Sequence, residues 1–339
     1  TIKIMAKKSE NRISMIFNIF KDGIVWYCKY MDVLLKYMLF PVFGQIIGLA
    51  LIFTANYFFV VNIPHLIKQY PILDNIPLVF TLLLICVFPG FLVFCKAFYD
   101  YIIAMGSLNS MAYVSRGEKM KNKPLDPKTH DDVLKKRLGN YIVLILLISL
   151  LGLIGSFPLF IIPFAIVLVY LCLVFQVFML EESTPPLAAF KRSFDLVKTN
   201  FGITSLLLGL SFVLTYVILP NLFVWAIDKA NAIDFLAYPI HKYLEILPIQ
   251  DIVNSSIASL TSGLPLDMPI SINTDAAFNI HDIACSVVCS LIGFAVIGLL
   301  LPMRSCWFTL LYKTFDFEKG EELRKMDYKK EYKNRNKKG

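Results

Sequence analysis

The chain has 339 residues, 57% of them hydrophobic and 17% charged, with a mean hydropathy of +0.65. A soluble domain runs about 45–50% apolar and about 25% charged, so this composition leaves too little polar surface to cover the molecule in water and calls for lipid as the solvent. The net charge of +8 is spread over segments that alternate with apolar runs instead of forming one basic face, which excludes nucleic acid as the partner.

The first element precedes any apolar run. Ile13, Ile16, Phe17, Phe20, Ile24, Cys28, Met31 and Leu35 recur at helical spacing, with Lys21, Asp22, Lys29 and Asp32 between them. The pattern predicts an amphipathic helix over 12–36 in the membrane interface. Six spans follow, at about 38–62, 77–99, 141–157, 160–180, 202–226 and 283–310, with lengths suited to a hydrocarbon layer of ~30 Å. No cleavable signal peptide is expected, because the first apolar run begins late and is long. Span one carries Gly44 and Gly48, a small-xxx-small pair that lets a neighbouring helix approach closely. In span two, Pro89 and Gly90 predict a kink by freeing the carbonyl four residues back. Spans three and four form a tight hairpin around 155–158.

Span four ends at Glu181-Glu182-Ser183-Thr184-Pro185-Pro186. Thr184 is the expected N-cap of the next helix, with Pro185 at its first position. That helix places Leu187, Phe190, Phe194, Val197 and Phe201 on one stripe and Lys191, Arg192, Asp195 and Lys198 largely off it, which predicts a second interfacial helix. Asp32–Lys36, Asp132–Lys136 and Asp195–Lys198 each precede an odd-numbered span; the pattern fits either a basic helix feeding a hairpin three times over or the composition that unrelated interfacial helices share in any case. The outer segment 227–282 is poor in Lys and Arg, is broken by Pro239, Pro248, Pro265 and Pro269, and carries one amphipathic stretch over 249–260. A single membrane domain over 1–312 and a basic tail over 313–339 complete the layout.

Charge fixes the sidedness expected of the spans. Lys and Arg number seven in 1–37, eight in 100–140, three in 181–201 and ten from 311 onward, against one in 63–76 and two in 227–282. That distribution puts 28 of the 33 basic residues on one side and three on the other. By the positive-inside rule both ends of the chain are then cytoplasmic, in a multi-pass protein of the cell membrane.

Candidates for chemistry are few. Lys96 and Arg304 lie near the inner ends of their spans, where Lys96 can pair with Asp100 and Arg304 can snorkel to the surface. The remaining polar residues in the spans are neutral and suit helix-to-helix hydrogen bonds. His281, Cys285 and Cys289 share a face of span six, but the outer members are about 12 Å apart, so the row reads as packing and no metal or cofactor is expected. The seven cysteines form no disulfide framework. Paired-glutamate, aspartyl and serine intramembrane protease patterns and phosphate-binding loops lack their required partners, so an enzyme is not expected.

The run Phe178–Glu182 and Ala188–Phe201, with Ala189, Arg192, Ser193, Leu196 and Lys198 in an Ala-x-x-Arg-Ser-x-x-Leu-x-Lys pattern, resembles the membrane domain of bacterial glycerophosphoryl diester phosphodiesterases and related six-helix membrane proteins. The likeness spans about residues 100–200 in detail. In those enzymes catalysis belongs to a separate soluble barrel, so the resemblance implies a membrane domain and no phosphodiesterase activity. The sequence therefore predicts an all-α polytopic bundle of six spans with interfacial helices. Its expected role is a non-enzymatic scaffold, assembly partner or lipid-interacting factor, contacting anionic lipid through the Phe190–Lys198 helix; the alternative is a passive permease for an apolar or amphiphilic solute.

Overall fold

The computed structural model describes residues 2–115 (side chains from 13), 125–157, 161–181, 184–246 and 279–317. Among these residues all regular structure is helical. In chain order the helices are α1 (Ile2–Lys29), α2 (Met31–Gln69), a 3-10 turn (Pro71–Asp74), α3 (Ile76–Ser115), α4 (Pro127–Lys135), α5 (Leu138–Gly155), α6 (Ile161–Leu171), α7 (Val174–Leu180), α8 (Pro186–Val197), α9 (Phe201–Phe212), a π-helical turn (Val213–Ile218), α10 (Leu219–Lys229), α11 (Ala232–Ile246), α12 (Ile280–Leu299) and α13 (301–317). Six of them, counting α6 with α7 and α9 with α10, are long and apolar enough to cross a membrane. Their exposed faces carry large apolar side chains, including Phe53, Phe80, Phe88, Leu146 and Leu210, which only lipid can solvate at no cost.

Several boundaries move from their expected places. The first helix ends at Lys29, and residues 31–36 open α2. At 39 and 40 residues, α2 and α3 are each about 60 Å long, twice the hydrocarbon thickness, so both extend beyond the bilayer. Span four is interrupted at Cys172–Leu173. Span five passes through the π turn just before Pro220, whose ring would meet the carbonyl of Tyr216; a widened turn makes room for it. Span six stops at Leu299, and a new helix starts immediately before Pro302. Helix α13 continues to 317 with Phe315 buried, because apolar contacts extend past position 312. Pro239 lies inside α11 instead of breaking it; packing on both sides of the proline offsets the one backbone bond it forfeits. The stretch 249–260, with Pro248, Pro265 and Pro269, and residues 318–339 lie outside the described residues.

Contacts group the chain into two compact units. The first draws on Thr1–Gln45, Cys95–Val213 and Leu299–Gly339, and the second on Ile46–Phe94 and Leu214–Gly298. In the first, the buried stripe of α1 is Ile16, Ile19, Gly23 and Trp26. Trp307 of α13 packs on Phe20 at 4.5 Å between ring centroids and donates its indole N–H to the Phe20 carbonyl. Trp26 donates to Ser115 Oγ at 2.7 Å. Ile13, Phe17, Ile24 and Cys28 stay exposed, so the single apolar stripe expected from sequence is two: one faces protein and the other is left for lipid. Neutral polar groups tie α3, α7 and α13 together, with Gln176 donating to Asn109 Oδ1 at 3.0 Å and Thr309 to the Asn109 carbonyl. Arg304 is buried at 7% exposure and does not snorkel, since α13 turns it into this core. Lys96 pairs with Asp100.

Gly44 lies against Ala97 in the first unit: a Cβ there would come within 2.8 Å of the Ala97 methyl. In the second unit a Cβ on Gly48 would stand 2.6 Å from the Phe94 backbone nitrogen, and one on Gly90 would stand 2.8 Å from that of Ile52. Within that unit α2 and α3 thus meet backbone to backbone, which only glycine permits. Helix α3 runs on through Pro89. Asn231, with φ of 53°, forms the turn that reverses α10 into α11, a left-handed position that asparagine tolerates.

Candidate functional site

Helix α8 begins one residue later than the capping pattern indicates. Pro185 is its N-cap and Pro186 its first residue, with no side-chain cap. Thr184 contributes its carbonyl instead, accepting a hydrogen bond from Arg137 Nη2 at 2.8 Å. Arg137 stands just before α5 and also donates through Nη1 to the Phe178 carbonyl at 2.8 Å, with its guanidinium over the Phe178 ring. One planar fork thereby satisfies a carbonyl at the end of α7 and another in the link to α8, groups that a helix terminus leaves without partners.

The two faces of α8 divide the residues that its sequence singles out. Ala189, Ser193, Leu196 and Val197 are buried, and Ser193 donates to the Tyr170 carbonyl at 2.7 Å. Arg192 joins this protein-facing set: Nε meets Glu181 Oε1 at 2.9 Å and Nη2 meets Asp316 Oδ1 at 2.7 Å. Tyr312 donates to the same Glu181 oxygen at 3.1 Å. Burial works against the Arg192 charge, yet the Glu181 hydrogen bond and the two carboxylate charges outweigh it and raise its pKa further. Burial, the Glu181 charge and the Asp316 charge push the Tyr312 phenol up. Phe190 is half-buried.

The opposite face is different. Leu187, Lys191, Phe194 and Lys198 are exposed and fall at i, i+4, i+7 and i+11, one narrow strip of the helix. Periodicity sets the lysines largely off the Phe stripe; in the structure Lys191 and Lys198 share the exposed strip of Leu187 and Phe194, while Val197 is buried. Phe194 stacks on Tyr170 at 4.5 Å, which fixes its direction.

A second cluster lies on α11 and α12. Asp234, His281 and Cys285 bring one donor atom each within 4.8 Å of one another. His241 stands edge-on to His281 and is paired with Glu245. Cys289 packs on the core formed by Ile233, Ala237, Ala284 and Val288. Sequence reasoning missed Asp234 here and Asp316 at α8 for the same reason: each is far along the chain from its partners, and no local spacing marks the pair.

No protein-family model, curated protein or solved structure matches this chain.

Proposed function

We propose that the chain is a non-enzymatic multi-pass protein of the cell membrane, with both ends on the cytoplasmic side. It engages anionic lipid through α8 and acts as a scaffold or assembly partner for other membrane components. The exposed strip Leu187, Lys191, Phe194 and Lys198 carries this reading. Apolar side chains alternate with lysines along one face, the arrangement of a helix that sinks partway into headgroups while its ammonium groups meet lipid phosphates. The rest of α8 supports a fixed platform, since Arg192, Ser193 and Arg137 hold that helix to its neighbours. The 28-to-3 charge distribution supports the cytoplasmic side for it.

Each lysine near an anionic surface contributes about 1 kcal/mol at modest ionic strength, so the pair amounts to about a 30-fold preference. The test uses the full chain in mild detergent, measuring retention of phosphatidylglycerol against phosphatidylcholine for the wild type and for Lys191→Gln/Lys198→Gln. The wild type retains the anionic lipid preferentially and loses that preference at high salt, whereas the double variant loses most of it at any salt. Equal retention of both lipids by the wild type would end this reading.

A further inference from the structure

We infer that Asp234, His281 and Cys285 form a three-ligand site for a borderline divalent transition metal, Zn2+ foremost. The inference is independent of lipid binding at α8. From sequence, His281, Cys285 and Cys289 form a row too long to close on one ion, and only two of them can be neighbours. Helix α11 supplies the missing member. Ile233 and Ala237 pack on Ala284 and Val288, and the small side chains let α11 come close to α12. Asp234 follows Ile233, while Cys285 follows Ala284, so the contact that buries the apolar pairs brings the polar neighbours together.

The distances suit a metal. His281 Nε2 lies 3.4 Å from Asp234 Oδ1, Cys285 Sγ lies 3.7 Å from the same oxygen, and Sγ lies 3.6 Å from Nε2. Tetrahedral zinc bonds of about 2.0 Å to nitrogen and oxygen and about 2.3 Å to sulfur place donor atoms about 3.3–3.6 Å apart. The three atoms therefore mark one face of a tetrahedron, with its fourth corner left to solvent. A thiol–imidazole–carboxylate relay would use opposite nitrogens of the ring. Here thiol and carboxylate both approach Nε2 and each other, so the three converge on one point. One sulfur, one nitrogen and one oxygen suit a borderline ion better than a hard one such as Mg2+ or Ca2+. His281 and Asp234 are exposed and Cys285 is half-buried, so an ion can reach the site. Beside it, His241 Nδ1 is buried without a hydrogen-bond partner among the described residues. Cys289, which packs on the apolar core, takes no part.

The test is a metal titration of the full chain in mild detergent, stripped with chelator and kept reduced by a non-thiol reductant. Co2+ is the optical probe and Zn2+ the competitor. The wild type binds one Co2+ per chain with a thiolate-to-cobalt charge-transfer band and intense visible bands, and Zn2+ displaces it. Cys285→Ala abolishes the charge-transfer band. Asp234→Asn and His281→Gln each weaken Zn2+ binding by about tenfold or more, with helix content and elution unchanged as the check on folding. Cys289→Ala leaves stoichiometry and spectrum as in the wild type. The inference is overturned by a wild type that binds no stoichiometric Co2+. It is equally overturned by a band that survives Cys285→Ala, or by Zn2+ affinity indifferent to both Asp234→Asn and His281→Gln.

Discussion

At the scale of single residues, Arg192 and His130 show how charge is handled beside an apolar bundle. Arg192 links the end of α7 to α13 by reaching Glu181 with one edge of its guanidinium and Asp316 with the other. The three side chains remain between 28% and 49% exposed, so water screens much of the attraction and the network is worth about 1 kcal/mol. Arg192→Ala should lower the thermal midpoint in detergent by about 1–2 °C, and Arg192→Lys by roughly half as much, because one ammonium cannot reach both acids. Equal midpoints for all three proteins would show that the fork carries no stability. His130 in α4 lies 2.8 Å through Nδ1 from Ser110 Oγ. Burial holds its imidazole below the ordinary value, outweighing the charges of Asp126 and Asp131, which favour protonation. The unfolded chain then binds this proton more readily than the folded one. Stability is full above the unfolded value of about 6.5 and declines as the pH falls through and below it. The drop in thermal midpoint from pH 7.5 to 5.5 should be smaller in His130→Gln than in the wild type. An identical drop in both would assign the acid sensitivity to other groups.

At the scale of elements, glycines separate places of close approach from places of mere tolerance. A methyl group at Gly48 or Gly90 meets backbone within 3 Å on the facing helix of the second unit, whereas one at Gly209 meets nothing within 4 Å. Backbone cannot rotate away as a side chain can, so α2 and α3 must part locally. Gly48→Ala and Gly90→Ala should each cost about 1–3 kcal/mol, while Gly209→Ala should be neutral or stabilise by up to about 1 kcal/mol through helix propensity. Thermal unfolding of the three variants decides it, and a Gly90→Ala midpoint equal to that of Gly209→Ala would remove the close-approach argument. The small-xxx-small spacing of Gly44 and Gly48 was legible in sequence; its partners on α3 were not, because the motif says that something approaches and not what. Helix α8 teaches the same limit. Its amphipathic character was plain, yet apolar residues occupy both faces, and only the packing of Ala189, Ser193 and Leu196 shows which face is inside. On α1, Trp26 and Gly23 define the buried stripe, and neither belongs to the row of large aliphatic residues that sequence periodicity favours.

At the scale of the whole molecule, the number of spans was legible because a membrane imposes a minimum apolar length, which composition records directly. The interruptions were less so. The breaks at Cys172–Leu173 and Leu300 and the π turn before Pro220 leave hydropathy unchanged and alter only the hydrogen-bond register. The two charge-bearing clusters were illegible for a further reason: Glu181 meets Asp316 through Arg192, and Asp234 meets His281, across separations that only the fold closes. Sidedness, part of the proposed function, is argued from charge: an even number of spans returns the chain to the side on which it began, and the positive-inside bias favours the cytoplasm for the segments that hold 28 of the basic residues over those that hold three. Asp74, in the short turn between α2 and α3, and Lys128, in α4, are both exposed and fall in segments assigned to opposite sides. In a variant lacking native thiols, a membrane-impermeant maleimide applied to sealed cells should label Asp74→Cys and should label Lys128→Cys only after permeabilisation. Labelling of Lys128→Cys in sealed cells would invert the topology, moving α8 and its lysines to the outer leaflet, away from the anionic surface that the proposed lipid contact needs.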